Sequence, residues 1–175
     1  HVLRRRQRQM CIRDRNIYLT GELGLARKGL EEIKKNCNKN IYRKKNVKRF
    51  IFPELRLEIS NSISQFASSC IDVSDGFIAD LEKILIPSNQ GAVINLDKIP
   101  RIDKSSLEDF TFGDDLELIF TADKKYHKKI MKLSDDSRIN ISLLGQTKKN
   151  SRIKYLLNND EVLFPRKKGW NHGKK

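Results

Sequence analysis

Apolar and polar positions follow two rhythms along this chain, one with the period of a strand and one with that of a helix. Residues 16–20 place Ile17, Tyr18 and Leu19 in a short run that reads as a strand, stopped by Gly21. From residue 23 to about 36, Ala26, Leu30 and Ile33 recur at helical spacing, and Lys34 and Lys35 fall in the last turn, where the helix dipole favours cations. Pro53 breaks the chain, and Leu55, Ile59, Ile63 and Phe66 then mark a second amphipathic helix. Residues 69–73 read as a strand and Ser74-Asp75-Gly76 as a turn and helix start. Phe77, Ile78, Leu81, Ile84 and Leu85 form the apolar stripe of the helix that follows, which Pro87 ends. Further strands are expected at 92–96, 116–121, 138–144 and 153–157, with a helix carrying Tyr126, Ile130 and Leu133 among them. Strands that alternate with helices predict an α/β (α+β) fold, a mixed β-sheet layered with helices.

Length and charge narrow the picture. The 175 residues suit one domain with a core of its own. No apolar run is long enough for a transmembrane helix, and the start of the chain has no secretory apolar segment. Cys11, Cys37 and Cys70 are too few and too scattered for a disulfide framework or a zinc cluster, so a reducing cytoplasm is the expected setting. The net charge is +14, of which residues 1–15 carry +5 through six Arg and one Asp. That segment has no Lys, whereas the rest is Lys-rich. It resembles read-through of adapter DNA and is set aside as a non-native or disordered basic segment, leaving 16–175 as one domain. A basic nucleic-acid arm is the alternative reading. Residues 39–51 are also basic, and most of them read as a solvated face.

Three segments could carry chemistry. Asp72-Val73-Ser74-Asp75-Gly76 places two carboxylates and a hydroxyl where a strand enters a helix. Asp72 and Ser74 share a strand face, and the turn can bring Asp75 toward them. Such oxygens suit a hard cation such as Mg2+, and backbone N–H groups at a helix start attract phosphate. On spacing alone, an N-cap and a strand-end acid explain the same residues more simply. Gly113-Asp114-Asp115-Leu116-Glu117 is a dense acidic patch in a basic protein, or else a surface turn opening a strand. Lys168-Gly169-Trp170-Asn171-His172 holds the only Trp, which could stack on a flat ligand or dock onto the domain. His127, among lysines, reads as exposed, and Cys70 as core.

In order, these segments resemble the C-terminal half of the thiamine-monophosphate kinase family, within the superfamily of aminoimidazole ribonucleotide synthetase and selenophosphate synthetase. Residues 17–21 with Leu23-Gly24 and Gly29-Leu30 resemble its strand–TG–xxG–GL segment, and Pro53 and Arg56 fall where a Pro–Arg stretch is usual. Asp72–Gly76 followed by Asp80-Leu81 looks like its Asp-x-Ser-Asp-Gly element, and Gly113–Leu118 with Phe120-Thr121 like its Gly-Glu-Asp-Tyr-Glu-Leu-x-Phe-Thr segment. Gly91-Ala92, Ile99-Pro100, Gly145 and the Lys168–His172 motif continue the match, which covers about residues 16–172. The aspartate element is common to the superfamily, and the terminal motif is the most family-specific piece.

The resemblance implies a fold of the aminoimidazole ribonucleotide synthetase type, here its C-terminal domain. It implies ATP-dependent phosphorylation of thiamine monophosphate to thiamine diphosphate by direct, Mg2+-assisted transfer of the γ-phosphoryl group. Such transfer depends on positioning and charge neutralisation rather than on a covalent nucleophile. By position, Asp72 and Asp75 would be Mg2+ ligands, Ser74 an ATP contact, Asp114 a substrate contact and Trp170 a stacking platform for the thiamine ring. Asp115 and Glu117 would support them. This chain departs from the motif with Asp114 in place of Glu and Leu116 in place of Tyr. The family's N-terminal half, which supplies most of its metal-binding aspartates and its homodimer contacts, has no counterpart before Asn16. A truncated chain with roughly half a site and little activity alone is therefore expected. The competing readings are another ATP-using enzyme of the same superfamily and a basic nucleic-acid-binding module.

Overall fold

The structure is a computed structural model that describes residues 14–35, 39–103, 106–149 and 152–164. Among the described residues, seven strands form one sheet in the order β2-β4-β1-β5-β3-β6-β7. These are β1 (Arg15–Thr20), β2 (Ala67–Asp72), β3 (Gln90–Asn95), β4 (Leu118–Asp123), β5 (Ile141–Lys149), β6 (Ile153–Leu157) and β7 (Asp160–Val162). Neighbours are antiparallel except β3 and β6, which run parallel. The α-helices are α1 (Leu25–Lys35), α2 (Lys45–Ile51), α3 (Leu57–Ser64), α4 (Phe77–Leu85) and α5 (His127–Ser137). None is long and apolar enough to cross a membrane.

β1 is an inner strand between β4 and β5 and is buried on both faces, as its unbroken Ile17-Tyr18-Leu19 run requires. Ile17 and Leu19 join one core with Phe77, Ile78, Leu81 and Leu85 of α4. Tyr18 points to the opposite face and joins Ile59 and Ile63 of α3, Phe120 of β4 and Ile130 of α5. Strand side chains alternate between faces, so one strand serves both cores and the sheet is sandwiched between helices. Each fully buried large apolar side chain contributes about 1.5–3 kcal/mol.

The predicted strands and helices are present, with several instructive shifts. α3 starts at Leu57, so Leu55 stays exposed while Ile59 and Ile63 are buried. α2 lies in the basic stretch of which most residues were expected to form a solvated face. Arg43, Lys44, Lys45 and Lys48 are exposed, but Val47 and Arg49 are buried. His127, expected at the surface, is half-buried because it opens α5 over the sheet, with Nδ1 3.1 Å from the Tyr18 hydroxyl. Cys70, expected in the core, faces outward on the edge strand β2. Asp14 and Arg15, the last two residues of the arginine-rich start, are held against the sheet. The Asp14 N–H donates to the Thr147 carbonyl at 3.2 Å, and Arg15 opens β1 and pairs with Asp123. Asn158 and Asn159 both take positive φ in the two-residue turn between β6 and β7, a backbone that Asn tolerates well.

Candidate functional site

The two acidic motifs lie side by side. Asp72 and Leu118 are the last paired residues of β2 and β4, and the pairing continues past them in irregular form. The Val73 N–H donates to the Glu117 carbonyl at 2.7 Å, Leu116 N–H to the Val73 carbonyl at 3.0 Å, and Asp114 N–H to the Ser74 carbonyl at 3.2 Å. Gly113 makes this approach possible, since a Cβ there would stand 1.9 Å from the Ser74 carbonyl oxygen. Asp114 and Leu116 both have left-handed backbone, at φ 65° and 51°. That conformation is common for Asp and rare for Leu, and it delays the start of β4 to Leu118.

The carboxylates of the two loops divide by environment. Asp72 and Asp114 are exposed, and Ser74 and Asp75 are half-buried. Asp80, Asp115 and Glu117 are buried. Asp80 sits one turn into α4 and reaches back over the bend. Its Oδ2 accepts the backbone N–H groups of Ser74, Asp75 and Gly76 at 2.9, 2.9 and 3.1 Å. The N–H groups that the sequence offers to phosphate are therefore taken by the chain's own carboxylate. Lys83 completes the arrangement, with Nζ 2.7 Å from Asp80 Oδ1 and also bonded to Asp75 Oδ2. Burial works against the ammonium, but these bonds outweigh it and raise the Lys83 pKa.

Asp115 and Glu117 brace the loop from beneath. Asp115 accepts the Gly24 and Ala26 N–H groups at 2.8 and 3.0 Å, satisfying donors that the first turn of α1 leaves open. Burial nonetheless pushes the Asp115 carboxyl up to about 6. Glu117 is held by the guanidinium groups of Arg49 and Arg56, with Arg56 Nε at 2.7 Å, and by the Thr20 hydroxyl at 2.6 Å. Arg49 also donates to the Asp115 carbonyl at 3.1 Å. On its outer side a recess of about 280 Å³ is lined by Arg43, Lys45, Lys48, Arg49, Phe52 and Glu54.

The structure thus brings Asp72, Ser74, Asp75 and Asp114 to one end of the sheet, while Trp170 lies outside the described residues. Among the described residues, no cluster of three or more acidic, His or Cys groups forms a full cation cage. Mg2+ does not need one, since it is held by one or two carboxylates together with water and phosphate oxygens. Asp75 already draws an ammonium to its oxygen, so its carboxylate is of the kind that would supply part of such a shell. Sequence reasoning missed Asp80 and Lys83 as organisers, and Arg49 as a buried partner of Glu117. The available signals were the acid one turn into the helix and its lysine three residues on.

This mixed sheet, with helices on both faces, has the α/β fold of the aminoimidazole ribonucleotide synthetase type. The structure is similar to AaThiL complexed with AMPPCP and TMP, at TM-score 0.73 and 21% identity over 94% of this chain and 53% of that one. It is also similar to T. maritima PurL complexed with ATP, at TM-score 0.62 and 12% identity over 88% of this chain and 25% of that one. In sequence, the thiamine-monophosphate kinase of Buchnera aphidicola subsp. Acyrthosiphon pisum (strain APS) is 36% identical over 169 residues, covering 89% of this chain and 52% of that protein. No protein-family model matches the chain. The chain is similar to curated thiamine-monophosphate kinases over 85–89% of its own length and spans about half the length of these relatives.

Proposed function

We propose that this chain is the C-terminal half of an enzyme that transfers the γ-phosphoryl group of ATP to the phosphate of thiamine monophosphate, releasing ADP and thiamine diphosphate. The observation that carries this reading is the pairing of the two acidic loops, with Asp72 and Asp114 exposed and Asp75 half-buried while Asp80, Asp115 and Glu117 are locked inside. Asp72 and Asp75 would hold Mg2+, whose positive charge offsets the polyphosphate charge as the phosphoryl group moves. Asp114 would contact the substrate, and Ser74 the nucleotide. Trp170 would supply ring stacking, as the family resemblance implies. With the turn N–H groups occupied by Asp80, phosphate would be held through cations and side chains rather than by this helix start. The whole protein would act as a cytoplasmic homodimer through the half that this chain does not match.

Calorimetry tests the reading. Mg2+-dependent binding of a non-hydrolysable ATP analogue is expected to weaken at least tenfold in the Asp72→Asn/Asp75→Asn double variant, the scale on which paired ligands count. Binding unchanged by that variant would remove the physical basis of the proposal. Steady-state formation of thiamine diphosphate by this chain alone is expected to be negligible, and robust turnover would overturn the half-site view.

A further inference from the structure

We propose that Lys83 is a tethered counter-ion to Asp75, which a divalent cation must displace before it can bind the acidic turn. This rests on the reading of Asp72 and Asp75 as cation ligands and adds a control on that same site. Three observations support it. The Lys83 ammonium bridges Asp75 Oδ2 and Asp80 Oδ1, the place a bound cation would contest. Asp80 cannot leave, since it is fully buried and its other oxygen holds three backbone N–H groups. Lys83 can leave, since its side chain is 47% exposed and its long stem reaches solvent from α4. Around Asp75, then, Asp80 is anchored and the Lys83 ammonium is detachable.

An ordinary surface ion pair would have a different consequence. If the pair served only to steady the turn, its loss would loosen the carboxylates and weaken cation binding rather than tighten it. A tethered competitor instead weakens cation binding by the strength of the pair that has to be broken. For a pair this exposed the effect is about fivefold.

Mn2+ titration of the chain, followed by the electron paramagnetic resonance of the free ion, separates the two. Lys83→Met is expected to tighten Mn2+ binding about fivefold, because only the charge is removed. Lys83→Arg keeps the charge and is expected to stay near the wild type. Asp75→Asn is expected to lose the site whether or not Lys83 is present. Affinity in Lys83→Met equal to or weaker than wild type, with binding still dependent on Asp75, would overturn the counter-ion proposal and leave the cation reading standing. No saturable binding by any of the chains would sink the cation reading, and this proposal with it. Circular dichroism confirms that each variant is folded.

Discussion

Asp75 and Asp80 lie in one turn-and-helix unit, yet their surroundings are opposite. Asp75 keeps an edge toward solvent and shares its oxygen with a detachable lysine. Asp80 is sealed, and one of its oxygens gathers three backbone N–H groups. The second loop repeats the division, with Asp114 exposed on left-handed backbone and Asp115 and Glu117 buried against α1, Arg49 and Arg56. The inner acids spend their charge on architecture, which leaves the outer acids as the ones available to a ligand. An unpaired charge is tolerable only where water reaches it, so the division follows from solvation.

Five substitutions set the inner acids against the outer ones, from the largest effect to the smallest. Glu117→Ala takes the buried carboxylate from Arg49 and the half-buried Arg56, leaving them only the exposed Glu54 as an acid partner, and is expected to lower stability by about 3–5 kcal/mol, read as the shift of a urea midpoint. A loss below about 1 kcal/mol would mean that the inner acids are not structural.

Asp115 gives a pH signature. Its folded carboxyl titrates near 6, against an ordinary value of 3.8, because burial favours the neutral form. Between those values the folded chain holds the proton more tightly than the unfolded one. The contribution is therefore complete below pH 3.8 and is lost as pH rises through about 6, an amount of about 3 kcal/mol. Asp115→Asn is expected to remove this component from the stability–pH curve. A curve of the same slope in the variant would contradict the assignment.

Asp80→Ala takes the acceptor from three N–H groups and is expected to cost about 1–3 kcal/mol in thermal or chemical denaturation. The outer acids behave otherwise. Asp72→Asn and Asp114→Asn are expected to leave stability within about 0.5 kcal/mol while weakening Mg2+-dependent ligand binding. A destabilised Asp114→Asn chain would blur the boundary between the two sets.

Much of the fold could be read along the chain. The stripe Phe77, Ile78, Leu81, Ile84, Leu85 was legible because every member meets the same core, and the β1 run because a central strand is apolar on both faces. The exposure of Leu55 and the burial of Arg49 went unseen for a common reason. Periodicity reports what a segment would bury if a partner were present, and neither the late start of α3 nor the packing that buries Arg49 is written in spacing. The acidic site was visible as two motifs, but nothing linear says that residues 73–74 and 114–117 hydrogen-bond to each other, or which acids turn inward.

The sequence by itself determined the alternating elements, the two cores' apolar stripes and the two clusters of acids. Only the tertiary structure decided which acids are braces and which remain available. That choice depends on whether a carboxylate meets N–H groups and guanidinium groups from distant segments or meets water, and local spacing does not specify distant partners.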